Sequence, residues 1–469
     1  MLYEVLNILV IALAVAASGC SSTGGTEHQP LAGTTQVDVG SLPATRKADA
    51  APQPEGPFTE QATITLRDAI AQALVNSPGL RAYSLEVRAA EARKVQAGLL
   101  PNPEIEVETE EFGGTGERRR FDSSQTTIQL GQLIELADKR AKRTDLATVE
   151  RDLAEWDYRS KRLDVMNQVA QAFIEVMAAQ EQLALSKDSA ELAKQAHLAV
   201  VQRVKAGKVS PVDEAKANIA LSTSRIELQK AEQALVSARY NLAAACGAQS
   251  PVFERVTGPY YEILPAPSLE ELSRQVSRNP DVARWVTERY RRLAALDLEK
   301  AKATPDIGIR GGIQRFDQGD DTAFILGLSI PIPLFNRNQG NIREAIYRLA
   351  KTQQEHKAAE IQVRAAVADA VPRLSSSSSE ITALREEVLP AAQSTFDAAR
   401  KGYEQGKFGY LDVLDAQRTL FEVREKYIEA LATHHKARAD VERLIGRSLE
   451  SLNGRTEAKN QLGANYHGE

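Results

Sequence analysis

Aromatic residues make up only 5% of the 469 positions, and the chain has two cysteines, three methionines and six histidines. So few aromatics argue against several bulky compact cores and for long aliphatic helices. Cys20 and Cys246 lie far apart in sequence, which gives no disulfide framework. Cys246 sits in an Ala-rich segment and reads as a packed thiol. Met1, Met166 and Met177 form no cluster, so a soft-metal relay through thioethers is unsupported. The histidines are His28, His197, His356, His434, His435 and His467, and no two stand four residues apart as a helical metal pair requires. They read as solvated side chains, with His434 and His435 on different sides of a helix. No charge of one sign dominates: 58 basic residues stand among 63 acidic ones, for a net charge of −5. That balance leaves no basic footprint for nucleic acid. No catalytic constellation, cofactor motif or metal-ligand set emerges, so the chain reads as a non-enzyme.

The apolar run at residues 5–19, VLNILVIALAVAASG, falls short of the ~20 residues a spanning helix needs and reads as a signal peptide. It ends in Ala17-Ser18-Gly19-Cys20, which resembles the site where bacterial lipoproteins are cleaved and acylated on the new N-terminal cysteine. Ser21 resembles the residue choice that sorts such proteins to the outer membrane. Residues 20–60, rich in Gly, Ser, Thr, Pro and Gln, cannot bury enough apolar surface to fold alone and read as a tether.

An internal repeat of about 200 residues organises the rest. Gly207, Lys208, Asp213, Ala217, Leu221, Arg225 and Gly247 recur 199 residues later as Gly406, Lys407, Asp412, Ala416, Leu420, Arg424 and Gly446. Upstream, Pro78 answers Pro280, Pro103 answers Pro305, and Ile134 with Leu136 answers Ile332 with Leu334. The expected domains are a signal at 1–19, the tether at 20–60, repeats at 61–247 and 268–446 around a linker at 248–267, and a polar tail at 447–469. Helices are expected at 66–98, 140–204, 211–246, 268–303, 338–403 and 410–446. Leu146, Val149, Leu153, Trp156, Leu163, Met166, Ala170, Phe173 and Met177 follow the 3-and-4 spacing of a coiled-coil seam. At 1.5 Å per residue that helix is roughly 95 Å long, too long for one compact core. Pro372 and the serines at 375–379 predict a kink in the fifth helix.

Four segments between the helices alternate in polarity. Ile105, Val107 and Thr109 oppose Glu104, Glu106, Glu108 and Glu110; Ile307, Ile309 and Ile313 oppose Gly308, Arg310, Gly312 and Gln314; Phe324, Leu326, Leu328, Ile330 and Ile332 oppose Ala323, Gly327 and Ser329. The fourth, residues 125–130, is shorter and weaker. Period-two segments of about 10 residues suit membrane strands with one face to lipid and one to a lumen. A half-buried soluble sheet has the same period. Four strands are too few to close a barrel, and an open edge in lipid leaves backbone groups unpaired, so a membrane reading forces several chains to share one barrel.

The tandem order of helix, hairpin, long helix, Gly turn and helix resembles the TolC family of outer-membrane factors over residues 60–446. The most specific motif is Tyr403-x-x-Gly406-x-x-x-Tyr410-Leu411-Asp412-Val413-Leu414-x-Ala416-Gln417. Ile134-Glu135-Leu136-x-x-Lys139-Arg140 and Ser329-Ile330-Pro331-Ile332-Pro333-Leu334-Phe335-Asn336-Arg337 resemble its cobalt-zinc-cadmium resistance branch. The resemblance implies a mainly α fold with membrane β: a homotrimer with a twelve-stranded outer-membrane barrel and a periplasmic α-barrel of long coiled-coil helices. It further implies a lipid-anchored exit duct for heavy-metal cations, handed over by a periplasmic adaptor and an inner-membrane RND transporter. A drug or type I secretion duct of the same family, or a periplasmic coiled-coil lipoprotein scaffold, are the alternatives. The adaptor-docking and gating tip falls on Gly207, Lys208, Val209, Asp213, Gly406, Lys407, Phe408, Tyr410 and Asp412. Phe408 stands where the family commonly has Arg. Helix capping by itself is one reading of Asp213, third after Ser210, and of Asp412, third after Gly409; capping together with gating is the other. Glu104, Glu106, Glu108, Glu110 and Arg310 are the candidate lumen lining, either as a cation-favouring ring or as a merely soluble face. The hairpin tips carry Arg118 to Arg120 on one side and Asp317, Asp320 and Asp321 on the other, and read as solvated loops.

Overall fold

A computed structural model describes residues 61–450 apart from 266; the signal peptide, Cys20, the tether, His28, His467 and residues 451–469 of the tail lie outside the described residues. The first repeat runs β1 (Gln61–Thr65), α1 (Leu66–Asn76), α2 (Pro78–Ala97), β2 (Glu104–Glu110), β3 (Gln125–Ile134), α3 (Lys139–Lys205) and α4 (Pro211–Ala245). The second runs β4 (Phe253–Thr257), α5 (Leu269–Ser273), α6 (Pro280–Lys302), β5 (Ile307–Phe316), β6 (Asp321–Ser329), α7 (Gln339–Ala383), α8 (Leu389–Glu404) and α9 (Tyr410–Ile445). With 67 residues, α3 is about 100 Å long.

Both first helices of the sequence reading are broken in two. Pro78 disfavours a helical Ser77, which leaves the helix and then caps α2 by accepting the Leu80 N–H at 3.3 Å. Asn279 does the same before Pro280, accepting from Asp281 N–H at 2.7 Å while its amide donates to the Leu444 carbonyl at 2.7 Å. Each break seats the glycine that ends its own repeat. Gly247 has φ +83°, and a Cβ there would lie 2.7 Å from the Asn76 oxygen; Gly446, at φ +71°, lies against Asn279 and Pro280. The repeat is therefore closed on itself at matching points.

The fifth helix is interrupted at a place the sequence reading did not mark. It runs unbroken past Pro372, where Ser376, Ser377, Ser379 and Thr382 bond back to carbonyls three or four residues earlier. The interruption is a π-turn at Leu384–Val388, in which the Leu389 N–H reaches the Leu384 carbonyl. Pro390 follows directly and has no N–H to continue the α ladder, which explains why the register slips there.

β1 and β4 pair in parallel, so the stretch at 248–267 is more than a connection: it carries a strand. The other four strands form one antiparallel sheet, β2-β3-β5-β6, that joins the two hairpins through β3 and β5. β3 spans 10 residues, longer than its weak alternation suggests, because each residue finds a partner on β5. The main buried cluster binds α3 (Val165, Val169, Phe173, Met177) to α1, α4 and α9, a second joins α5 to α7 and α9, and a third lies at the Gly turns.

Candidate functional site

The ladder register sorts the sheet into two faces. Ile105 pairs with Leu130 and Val107 with Ile128; Ile128 pairs with Ile313, which pairs with Phe324; Ile309 pairs with Leu328. Directly paired residues share a face, so these apolar side chains form one surface across all four strands. Phe324 and Leu326 are 90% and 85% exposed on it. The opposite face carries Glu104, Glu106, Glu108, Glu110, Gln129, Arg310 and Gln314, interspersed with glycines. Glu106 accepts from Gln129 at 2.7 Å and lies 3.5 Å from Arg310. Arg310 crosses β3 above Gly131, where a Cβ would stand 3.4 Å from its Cγ. Thus Arg310 meets the acidic row, while the other three glutamates of that row have exposed side chains.

The hairpin-tip charges bind partly within their own hairpins and partly across them, since Ser124 of the first holds Asp317 of the second. Arg118 meets Glu111 at 3.0 Å, Arg315 meets Asp320, and Asp317 is held by Ser124.

At the other end of the sheet, each long helix starts from a left-handed elbow. Ala137 and Asp138 have φ of +57°, and Asn338 has φ of +59°. Asn can adopt this conformation cheaply, and its amide is held by Glu299 at 2.7 Å. Buried Lys139 donates to Asp306 at 2.7 Å, and the same carboxylate oxygen accepts the Leu136 N–H at 2.9 Å. Glu135 pairs with Arg143, whose hydrogen bond holds the carboxyl below its ordinary pKa. The motif that the sequence offered only as a family marker is therefore an elbow joining the two repeats. The signal that could have revealed it is the charged pair Lys139 and Asp306 at the first turn of one helix and the last residue before a strand.

The two Gly turns meet at the far end of α3. Gly207 (φ +68°) and Gly406 (φ +72°) adopt the left-handed geometry that ends a helix, and the N–H groups of Lys208 and Lys407 return to the Arg203 and Gly402 carbonyls at 2.9 and 2.8 Å. Arg203 stacks 4.2 Å from the Tyr403 ring centre and donates to the Tyr403 carbonyl at 3.1 Å. Tyr410 and Leu414 pack on Val200 and Ala217, with Val209 at the edge. Burial pushes the Tyr410 phenol pKa up, and the nearby Tyr403 and Asp213 add to the rise. Asp412 accepts the Gly409 N–H at 2.8 Å and so is engaged as a cap, while Ser210 caps α4 through Val212 N–H at 3.2 Å. Lys208 and Lys407 are exposed, with no ion pair among the described residues. The Phe408 ring lies flat on Gly402, and with Asp412, Asp415 and Thr395 it lines a groove of about 820 Å³ between α8 and α9.

The outer membrane efflux protein family model matches residues 69–248 and 272–447. The chain belongs to the outer membrane efflux protein family. It is 35% identical to the cobalt-zinc-cadmium resistance protein CzcC of Cupriavidus metallidurans, over 82% of this chain and 90% of that protein. It is 26% identical to the nickel-cobalt-cadmium resistance protein NccC of Alcaligenes xylosoxydans, over 65% and 68%. The fold is similar to the crystal structure of the channel CusC, with a TM-score of 0.70 and 20% identity over 82% and 92% of the two chains.

Among the described residues of this efflux protein, no helix is long and apolar enough to cross a membrane. The helical part of the protein holds groups the sequence reading misplaced. His434 is not solvated: it is 1% exposed, its Nδ1 lies 3.2 Å from the Ser377 hydroxyl, and burial lowers its pKa to about 4. His435 bonds the Tyr260 carbonyl through Nε2 at 2.7 Å, and the Tyr260 hydroxyl donates to the Ile428 carbonyl at 2.8 Å. His435 thus locks the segment after β4 onto α9, while His434 packs against α7. An adjacent pair on a helix necessarily points in two directions, and only the docking of α7 and of that segment decides that both are covered. Cys246 is buried, as a packed thiol should be, and burial raises its pKa to about 11.

Proposed function

We propose that three copies of this chain share one twelve-stranded barrel and form the outer-membrane exit duct of a tripartite pump for heavy-metal cations. The observation that carries the duct is the register: one continuous apolar face, one face bearing Glu104, Glu106, Glu108, Glu110 and Arg310, and two unpaired edges, β2 and β6. Edges exposed to lipid must pair, and β6 of one copy with β2 of the next satisfies both. The apolar face then meets lipid and the acidic face the lumen, with the long helices continuing the duct into the periplasm.

Metal as cargo rests on similarity to relatives named for cobalt, zinc, cadmium and nickel resistance. Cargo is exported rather than held, so no resident cofactor or catalytic step belongs to the reading. A periplasmic adaptor and an inner-membrane RND transporter are the partners it requires, and acylated Cys20 anchors the chain. The turns carrying Gly207, Lys208, Val209, Asp213, Gly406, Lys407, Phe408, Tyr410 and Asp412 form the docking and gating tip. Their exposed lysines beside acids of the following helices, and the groove under Phe408, support that assignment. A deletion strain should become sensitive to cobalt, zinc and cadmium while its tolerance of organic drugs is unchanged; the reverse pattern refutes metal cargo. For the gate, Asp213→Ala with Asp412→Ala should raise planar-bilayer conductance of intact trimers, and wild-type conductance leaves both residues as caps only.

A further inference from the structure

The apolar parity of β6 does not stop where its ladder stops. Phe324, Leu326 and Leu328 lie within the strand, and Ile330, Ile332 and Leu334 continue the same alternation beyond Ser329, followed by Phe335. All are solvent-exposed in the single chain, Phe335 to 90%. Within the strand the stripe from Phe324 to Leu328 covers only roughly 10 Å of height at a ~40° tilt, whereas a membrane barrel needs an apolar band of about 25 Å. Carried on to Leu334 as extended chain, it reaches at most roughly 25 Å.

The backbone past the strand is also prepared for a medium without water. Pro331 and Pro333 alternate with the apolar residues and present no N–H at all. The Leu334 N–H is used by the Ile332 carbonyl at 2.9 Å. Arg337 Nε donates to the Pro333 carbonyl at 3.3 Å, and the Gln339 amide donates to the Phe335 carbonyl at 3.1 Å. Just before β2, the Pro101 carbonyl is likewise met by Gln132 at 3.0 Å. A loop open to water has no need of such internal pairing, whereas one in lipid does. Exposed Arg140, in the first turn of α3, and Arg337, two residues before α7, stand at the two elbows, where cationic side chains could meet phosphates of the periplasm-facing leaflet.

We infer that residues 330–335 form a lipid-facing collar that extends the apolar band below the strands and inserts into the periplasm-facing phospholipid leaflet. This rests on the reading of the sheet as membrane-spanning. The test attaches nitroxide spin labels to Ile332→Cys and Phe335→Cys, in the full chain reconstituted in phosphatidylethanolamine and phosphatidylglycerol vesicles. Collision with oxygen and with a water-soluble nickel chelate is then measured. Leu326→Cys is the strand reference and Tyr347→Cys, exposed on α7, the aqueous one. Cys246 is buried, and background is read on the parent chain. The collar predicts that labels at 332 and 335 favour oxygen over nickel, as at 326 and opposite to 347. Lipid contact at 326 with nickel access at 332 and 335 overturns the collar and leaves the membrane sheet standing. Shielding of 332 and 335 from both probes also overturns it, because a neighbouring protomer then covers the segment. Nickel access at 326 itself removes the membrane reading. Should one labelled variant fail to assemble, the other carries the same readout.

Discussion

The Lys139–Asp306 pair gives the elbow a measurable worth. Its side chains are 9% and 23% exposed, and Asp306 Oδ1 serves both the Lys139 ammonium at 2.7 Å and the Leu136 N–H at 2.9 Å. Asp306→Ala leaves a buried cation and a buried donor without partners. Removal of one partner of a buried pair costs ~3 to 5 kcal/mol, and the partial exposure of Asp306 places this case near ~3. Asp306→Asn keeps an acceptor for Leu136, worth ~1 kcal/mol of that loss. Lys139→Met combined with Asp306→Asn removes both charges and should return to within ~1 kcal/mol of the parent. Membrane channels of this size unfold irreversibly, so the assay is the half-life of the helical circular dichroism signal in detergent at fixed temperature. If the elbow opens before the rate-limiting barrier, ~3 kcal/mol shortens that half-life by roughly 150-fold. A half-life for Asp306→Ala within about twofold of the parent would refute the claim that this contact holds the two repeats together.

Leu326→Arg places a charge on the lipid face and should destabilise the assembled protein by ~2 to 4 kcal/mol if it lies near the bilayer midplane, read as loss of heat-resistant oligomer. Unchanged heat resistance argues that this face never meets lipid. His434 has a folded pKa of about 4 because burial disfavours its charged form. Its contribution is therefore complete above the unfolded value of ~6.5 and is lost as pH falls toward 4, by ~2 to 3 kcal/mol. His434→Gln should flatten the shortening of the unfolding half-life between pH 6.5 and 4, and an unaltered pH dependence assigns it to other groups.

Much of the fold was legible because its signals are periodic. The recurrence of Gly207 at Gly406 and of Gly247 at Gly446 exposed the tandem repeat, and the alternation of Phe324, Leu326 and Leu328 marked a strand with one apolar face. Single apolar stripes do not say which strands are neighbours, so the β3–β5 junction and the full length of β3 needed the structure. Short β1 and β4 carry too few residues to show a period. The π-turn escaped because Pro372 is the conspicuous breaker, whereas Pro390 acts one turn ahead of itself. His434 and Lys139 were invisible as buried groups, since their burial is created by segments distant in sequence, at Ser377, 57 residues away, and at Asp306, 167 residues away.

The face assignment is tested most directly by cysteine accessibility in planar bilayers. Glu106→Cys and Leu326→Cys lie on opposite sides of the same sheet, and each is exposed in the single chain. Charged methanethiosulfonate reagents, added from the aqueous phase to single trimers, should reduce conductance through Glu106→Cys and leave Leu326→Cys unchanged. Conductance block at Leu326 with none at Glu106, or no channel from the parent chain, would contradict an outer-membrane duct built on these two faces.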